Sequence, residues 1–120
     1  MPSVNGMDAI YEKTLLYDFY GELLTAHRRE IYEEVVFNDM SLSEAAEEYG
    51  VSRQGIHDII RKCDEALRSY ENKLHMVEQF GKIRGLTNNL SAEIKNLKNL
   101  KPEEQASLQS TVDQIKQVIG

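Results

Sequence analysis

Ser41-Leu-Ser-Glu-Ala-Ala-Glu-Glu-Tyr-Gly-Val-Ser-Arg-Gln-Gly-Ile-His-Asp-Ile-Ile-Arg-Lys-Cys63 carries two helix starts separated by one tight turn. Ser41 and Glu44 stand at the spacing of a capping box, in which the hydroxyl accepts from the third amide and the carboxylate reaches back. Gly50 tolerates the left-handed backbone that ends a helix. Ser52 caps the next helix after the tripeptide Gly50-Val51-Ser52. Ala45 and Ala46 are small enough for a second helix to cross closely, and Val51, Ile56 and Ile59 can bridge the pair. These features together predict a helix-turn-helix over about residues 41–68.

The second helix of the motif has a polar side. Arg53, Gln54, His57, Asp58 and Arg61 fall on one strip, away from Ile56, Ile59, Ile60 and Cys63. Arg and Gln can make bidentate contacts with base edges, while Ser52, Arg61 and Lys62 suit phosphates. The candidate nucleic-acid-binding set is therefore Ser52, Arg53, Gln54, His57, Arg61 and Lys62. The same spacing also describes the solvated face of a long helix, and Asp58 and the acids Glu44, Glu47 and Glu48 favour that plainer reading.

Upstream, Leu15, Leu16, Phe19, Tyr20, Leu23 and Leu24 recur at helical steps and predict an amphipathic helix over 8–24. Thr25 can cap a second helix with Ile31, Tyr32, Val35 and Val36 facing inward, closed by Asn38-Asp39. Downstream, apolar spacing runs on from Ile56 through Leu67, Tyr70 and Leu74 to Val77. The two glycines of Gly81-Lys82-Ile83-Arg84-Gly85 predict a bend. Leu86, Leu90, Ile94, Leu97 and Leu100 then form a narrow stripe, and Pro102 marks the start of a last helix carrying Leu108, Val112, Ile115 and Ile119. The expectation is an all-α bundle of four or five helices, with a domain over 8–80 and a helical tail over 86–120. The tail can pair with itself or with a second copy, and a homodimer is expected.

The 120 residues hold 20 acids and 14 Lys and Arg, a formal charge of −6. Residues 1–40 hold 8 acids and 3 bases, and 41–51 hold 3 acids and no base. Only 52–85, with 7 bases against 5 acids, is positive. That balance argues against indiscriminate nucleic-acid binding over the whole surface and concentrates the cation supply on the motif's second helix.

One cysteine excludes an internal disulfide framework and fits a reducing, cytoplasmic setting. The opening Met1–Asp8 lacks the basic and apolar regions of a secretory signal. No apolar run approaches the roughly 20 residues of a membrane span. His27, His57 and His75 lack ligand spacing, so neither a metal nor a cofactor is expected. Cys63 reads as a buried structural thiol, and the tyrosines of 11–32 lack the interleaved bases of a stacking platform. No catalytic signature is present, and the expectation is a protein that is not an enzyme.

The stretch Ser41–Cys63 resembles the helix-turn-helix of region 4 of bacterial sigma factors. With its flanks, Leu15–Arg29 and Tyr70–Phe80, it resembles the YlxM family, small bacterial proteins encoded beside signal recognition particle genes. The resemblance covers about residues 10–80 and implies a sigma-region-4-like helical fold. It also implies a regulatory or accessory role in signal-recognition-particle-dependent targeting, with the contacts carried by Arg53, Gln54, His57 and Arg61. The implied partners are duplex DNA or the particle's RNA. An adaptor contacting the particle's proteins through the same fold is the alternative.

Overall fold

The computed structural model describes residues 6–120. Residues 1–5, on which the expectation of no secretory signal partly rests, lie outside the described residues. Among the described residues there are six α-helices and no strand, so the fold is all-α with more helices than the four or five expected. The chain divides at His75/Met76 into two compact units.

In the first unit α1 (Gly6–Tyr20) ends in a 3₁₀ turn, Gly21–Leu23. Gly21 allows this because its backbone lies on the Tyr17 ring, where an added Cβ would come within 2.8 Å of a ring carbon. The tighter turn rotates the chain off the α-helical period. Leu24 is thereby buried, whereas Leu23, expected on the inward stripe, is left 56% exposed.

Thr25 caps α2 (Ala26–Tyr32) as expected, its hydroxyl accepting from the Arg28 amide at 3.3 Å. The helix then widens into a π turn, Glu33–Phe37, closed by the Asn38 amide donating to the Glu33 carbonyl. That turn brings Phe37 against Tyr17 and Tyr32, with ring centroids 5.3 and 5.8 Å away. Asp39 follows in left-handed backbone, φ 58°.

Helices α3 (Leu42–Tyr49) and α4 (Arg53–Leu74) complete the unit. Ile31, Ala45 and Ile56 form a fully buried cluster joining α2, α3 and α4, flanked by Val35, Met40, Leu42, Ile59 and Ile60. Burial of each large aliphatic side chain contributes about 1.5–3 kcal/mol. Polar ties hold α1 and α2 onto α4. The Tyr32 hydroxyl donates to Asp64 and that of Tyr20 to Glu71, each at 2.6 Å, and Lys13 pairs with Asp64 at 3.4 Å. Burial and the adjacent Asp64 carboxylate push the Tyr32 hydroxyl well above the ordinary tyrosine range.

The bend expected at Gly81–Gly85 falls earlier. α4 stops at Leu74, and His75 adopts left-handed backbone (φ 55°) while its amide closes on the Glu71 carbonyl at 2.8 Å. Gly81 and Gly85 lie inside α5 (Met76–Lys95), where both face open space. Their helix-propensity cost of about 1 kcal/mol each does not suffice to break it.

The second unit is the pair α5 and α6 (Pro102–Ile119). Pro102 takes the first helical position as its sequence placement predicts, and the Glu104 carboxylate accepts from the Lys101 amide at 3.1 Å. Thr87, Ile94, Val112 and Ile119 are buried in this unit. Ser91 and Gln109 join the helices: the Ser91 hydroxyl donates to Gln109 Oε1 at 3.1 Å, and Gln109 Nε2 donates to the Ser91 carbonyl at 3.2 Å. No described helix is long and apolar enough to cross a membrane.

Candidate nucleic-acid interface

Both reciprocal bonds of the capping box form at the start of α3. The Glu44 amide donates to Ser41 Oγ at 3.0 Å and the Ser41 amide to Glu44 Oε1 at 3.3 Å. At its other end Gly50 sits at φ 68°, ψ 34°, and the Val51 amide reaches back to the Ala46 carbonyl. Ser52 then caps α4 through a 2.9 Å bond from the Gly55 amide. Ala45 is wholly buried where α4 crosses, and so is Ile56. Val51, expected to bridge the two helices, is instead 38% exposed.

Gly55 has a structural reason that its helix position hides. A Cβ there would lie 3.2 Å from Ser52 Oγ and 3.5 Å from the Val51 Cβ. It therefore faces the turn rather than the outer strip.

Ser52, Arg53, Gln54, His57, Arg61 and Lys62 are all exposed on the first turns of α4. They are not electrostatically equivalent. Arg61 pairs with Glu65 at 2.8 Å and approaches Asp58 at 3.9 Å, while Gln54 Nε2 donates to the same Asp58 at 3.3 Å. Among the described residues no salt bridge involves Arg53, His57 or Lys62. The outermost row of the helix is thus a partly self-neutralised chain, Gln54–Asp58–Arg61–Glu65, with Arg53 and His57 on one flank and Lys62 on the other. Sequence reasoning missed the role of Glu65, although its i,i+4 spacing from Arg61 signals the pair.

No group of His, Cys, Asp and Glu among the described residues is arranged to hold a metal ion. Cys63 is fully buried on the core side of α4, and desolvation raises its thiol's pKa. Tyr17, Tyr32 and Phe37 pack on one another, with Tyr17 and Tyr32 stacked at 5.7 Å, while Tyr11 is 60% exposed. A groove of about 550 Å³ between α1 and α2 is lined by Tyr17, Asp18, Glu22, Arg29, Glu30 and Glu33, and shares no residue with the strip.

A capped helix, a glycine turn and a second helix with an exposed polar N-terminal half define a helix-turn-helix protein. The chain belongs to the UPF0122 family, whose model, described as "Putative helix-turn-helix protein, YlxM / p13 like", matches residues 7–110. It is 48% identical over 66 residues to a UPF0122 protein of Caldanaerobacter subterraneus subsp. tengcongensis, covering 55% of this chain and 56% of that relative. With a UPF0122 protein of Listeria welshimeri it shares 37% over 113 residues, covering 91% of this chain and 99% of the other. A Thermoanaerobacter relative is 46% identical over 70 residues, 58% of this chain and 60% of its own. No solved structure matches the chain.

Proposed function

We propose that α3 and α4 form a nucleic-acid-binding unit of a regulatory or accessory protein in the signal recognition particle pathway, acting in the cytoplasm as a homodimer. The observation that carries the reading is the exposed strip Ser52–Lys62 on a helix whose N-terminus is capped, turned and braced by its own neighbours. Arg53 and Gln54 reach base edges, His57 and Arg61 grip beside them, and Ser52 and Lys62 hold phosphates. Membership of a helix-turn-helix family supports the class of function, and the likeness to proteins encoded beside signal recognition particle genes supports the pathway. The division of labour follows the chain, with residues 8–80 carrying the contacts and 86–120 the association of copies. The buried free thiol of Cys63 suits a reducing compartment.

Fluorescence anisotropy with the particle's RNA and with duplex DNA tests the reading at about 50 and 200 mM salt. Binding should weaken steeply with salt and be lost in the Arg53→Ala/Arg61→Ala double variant. Binding indifferent to both salt and variant would rule the reading out. That result would favour the second reading, an adaptor for proteins of the targeting machinery. Its specific support is the pairing of Arg61 with Glu65 and Asp58, beside the exposed Glu44, Glu47 and Glu48 of α3.

A further inference from the structure

Asp58 is a carboxylate in the middle of a surface that has to meet phosphates. It lies between Ser52 and Lys62, which stand about 15 Å apart along the helix axis at 1.5 Å per residue. Its side chain is 46% exposed. Neutralising Arg61 does not account for it, because Glu65 already does so from 2.8 Å, whereas Asp58 is 3.9 Å away. Both of its ties, from Gln54 Nε2 at 3.3 Å and from Arg61 Nη2, come to the same oxygen, Oδ1. Among the described residues none bonds or pairs with Oδ2. Gln54 on the preceding turn and Arg61 on the next thus hold the carboxylate from two sides and leave one oxygen for a ligand.

An ionised carboxylate only accepts hydrogen bonds, so its ligand must donate. Phosphate oxygens only accept and carry the same sign of charge, so the backbone of a nucleic acid is turned away from this point. The donors left on the major-groove edges are the amino groups of cytosine and adenine. Adenine sets its N7 acceptor beside the amino group, which opposes a carboxylate, and cytosine has no acceptor there. We infer that Asp58 is a specificity-determining residue of the strip. Its Oδ2 accepts from the N4 amino group of a cytosine, while its charge keeps the sugar–phosphate backbone off the centre of the helix. A duplex major groove and an unpaired RNA loop both present that amino group.

The inference rests on the nucleic-acid reading and adds a base preference to it. The full chain is mixed at about 150 mM salt with two pools, and the bound molecules are sequenced. One pool is duplex DNA randomised at its centre, the other an RNA hairpin with a randomised loop. One of them should return a position enriched in cytosine, and the pool that does so identifies where the cytosine lies. Asp58→Asn, of nearly the same shape without the charge, should reduce that enrichment about 10-fold. It should also bind duplex of mixed sequence about threefold more tightly. Glu65→Gln removes the same charge from the other side of Arg61. It should tighten binding to the mixed duplex as well, yet keep the cytosine. Both side chains are well exposed, at 46 and 63%, so neither change should alter the helical circular dichroism. Bound molecules as random as the pool overturn the inference and leave the nucleic-acid reading standing. So does an enrichment that survives Asp58→Asn, one that Glu65→Gln abolishes equally, or no gain of Asp58→Asn on the mixed duplex. No binding to either pool overturns both.

Discussion

The two units are both helical, yet they are held in different ways. The first joins α2, α3 and α4 around Ile31, Ala45 and Ile56 and adds tyrosine–carboxylate bonds that fasten α1 and α2 to α4. The second has two helices, one layer of buried side chains and a face of exposed leucines. A core that meets neighbours on every side leaves its outer surface free to be polar, as the strip on α4 is. A single-layer hairpin leaves apolar surface that another molecule can cover.

The sharpest way to break this contrast is to delete volume from each seam. Ile56→Ala should cost about 2–5 kcal/mol in urea denaturation, because three helices meet at that side chain and cannot close on the cavity. Ile94→Ala should cost about 2 kcal/mol, the low end of that range, because two helices can shift together. Equal losses would mean that the hairpin is as fixed as the first unit. Gly50→Ala should cost about 1–2 kcal/mol through its left-handed backbone alone, since no atom lies within 4 Å of the added Cβ. A neutral result there would mean that the turn relaxes freely, and the α3–α4 crossing would then not be rigid.

The smallest effect at neutral pH belongs to the tyrosine bonds. The folded protein holds the Tyr32 hydroxyl well above its unfolded value near 10, so that contribution is complete below about pH 10 and is lost as the pH rises further. Denaturation midpoints should fall on the alkaline side, and Tyr32→Phe should flatten that fall. An unaltered alkaline slope in Tyr32→Phe would assign it to another group.

The legible parts of the fold were those written in short-range chemistry. Ser41 with Glu44, Gly50, Ser52 and Thr25 each mark a helix end through bonds spanning only a few residues, Pro102 marks one through its fixed φ, and all five do so in the structure. The break at His75 has no such mark, because left-handed backbone is uncommon in any residue but glycine and the apolar spacing continues in phase through Val77. Leu23 was displaced by a 3₁₀ turn, and the packing of Phe37 on Tyr17 and Tyr32 follows from a π turn; neither period can be read from an α-helical pattern. Of the candidate site, the exposed placement of the strip was legible. The tie between Tyr32 and Asp64 was not, since the two lie 32 positions apart.

The chain's one cysteine gives the first unit a chemical clock. Cys63 is wholly enclosed and its thiol resists ionisation, so an alkylating reagent reaches it only when α4 parts from its neighbours. The rate of labelling then counts openings of that core. Because the hairpin holds no thiol, its own fluctuations leave the clock untouched, and the same reaction timed with nucleic acid present would register any tightening of α4 on binding.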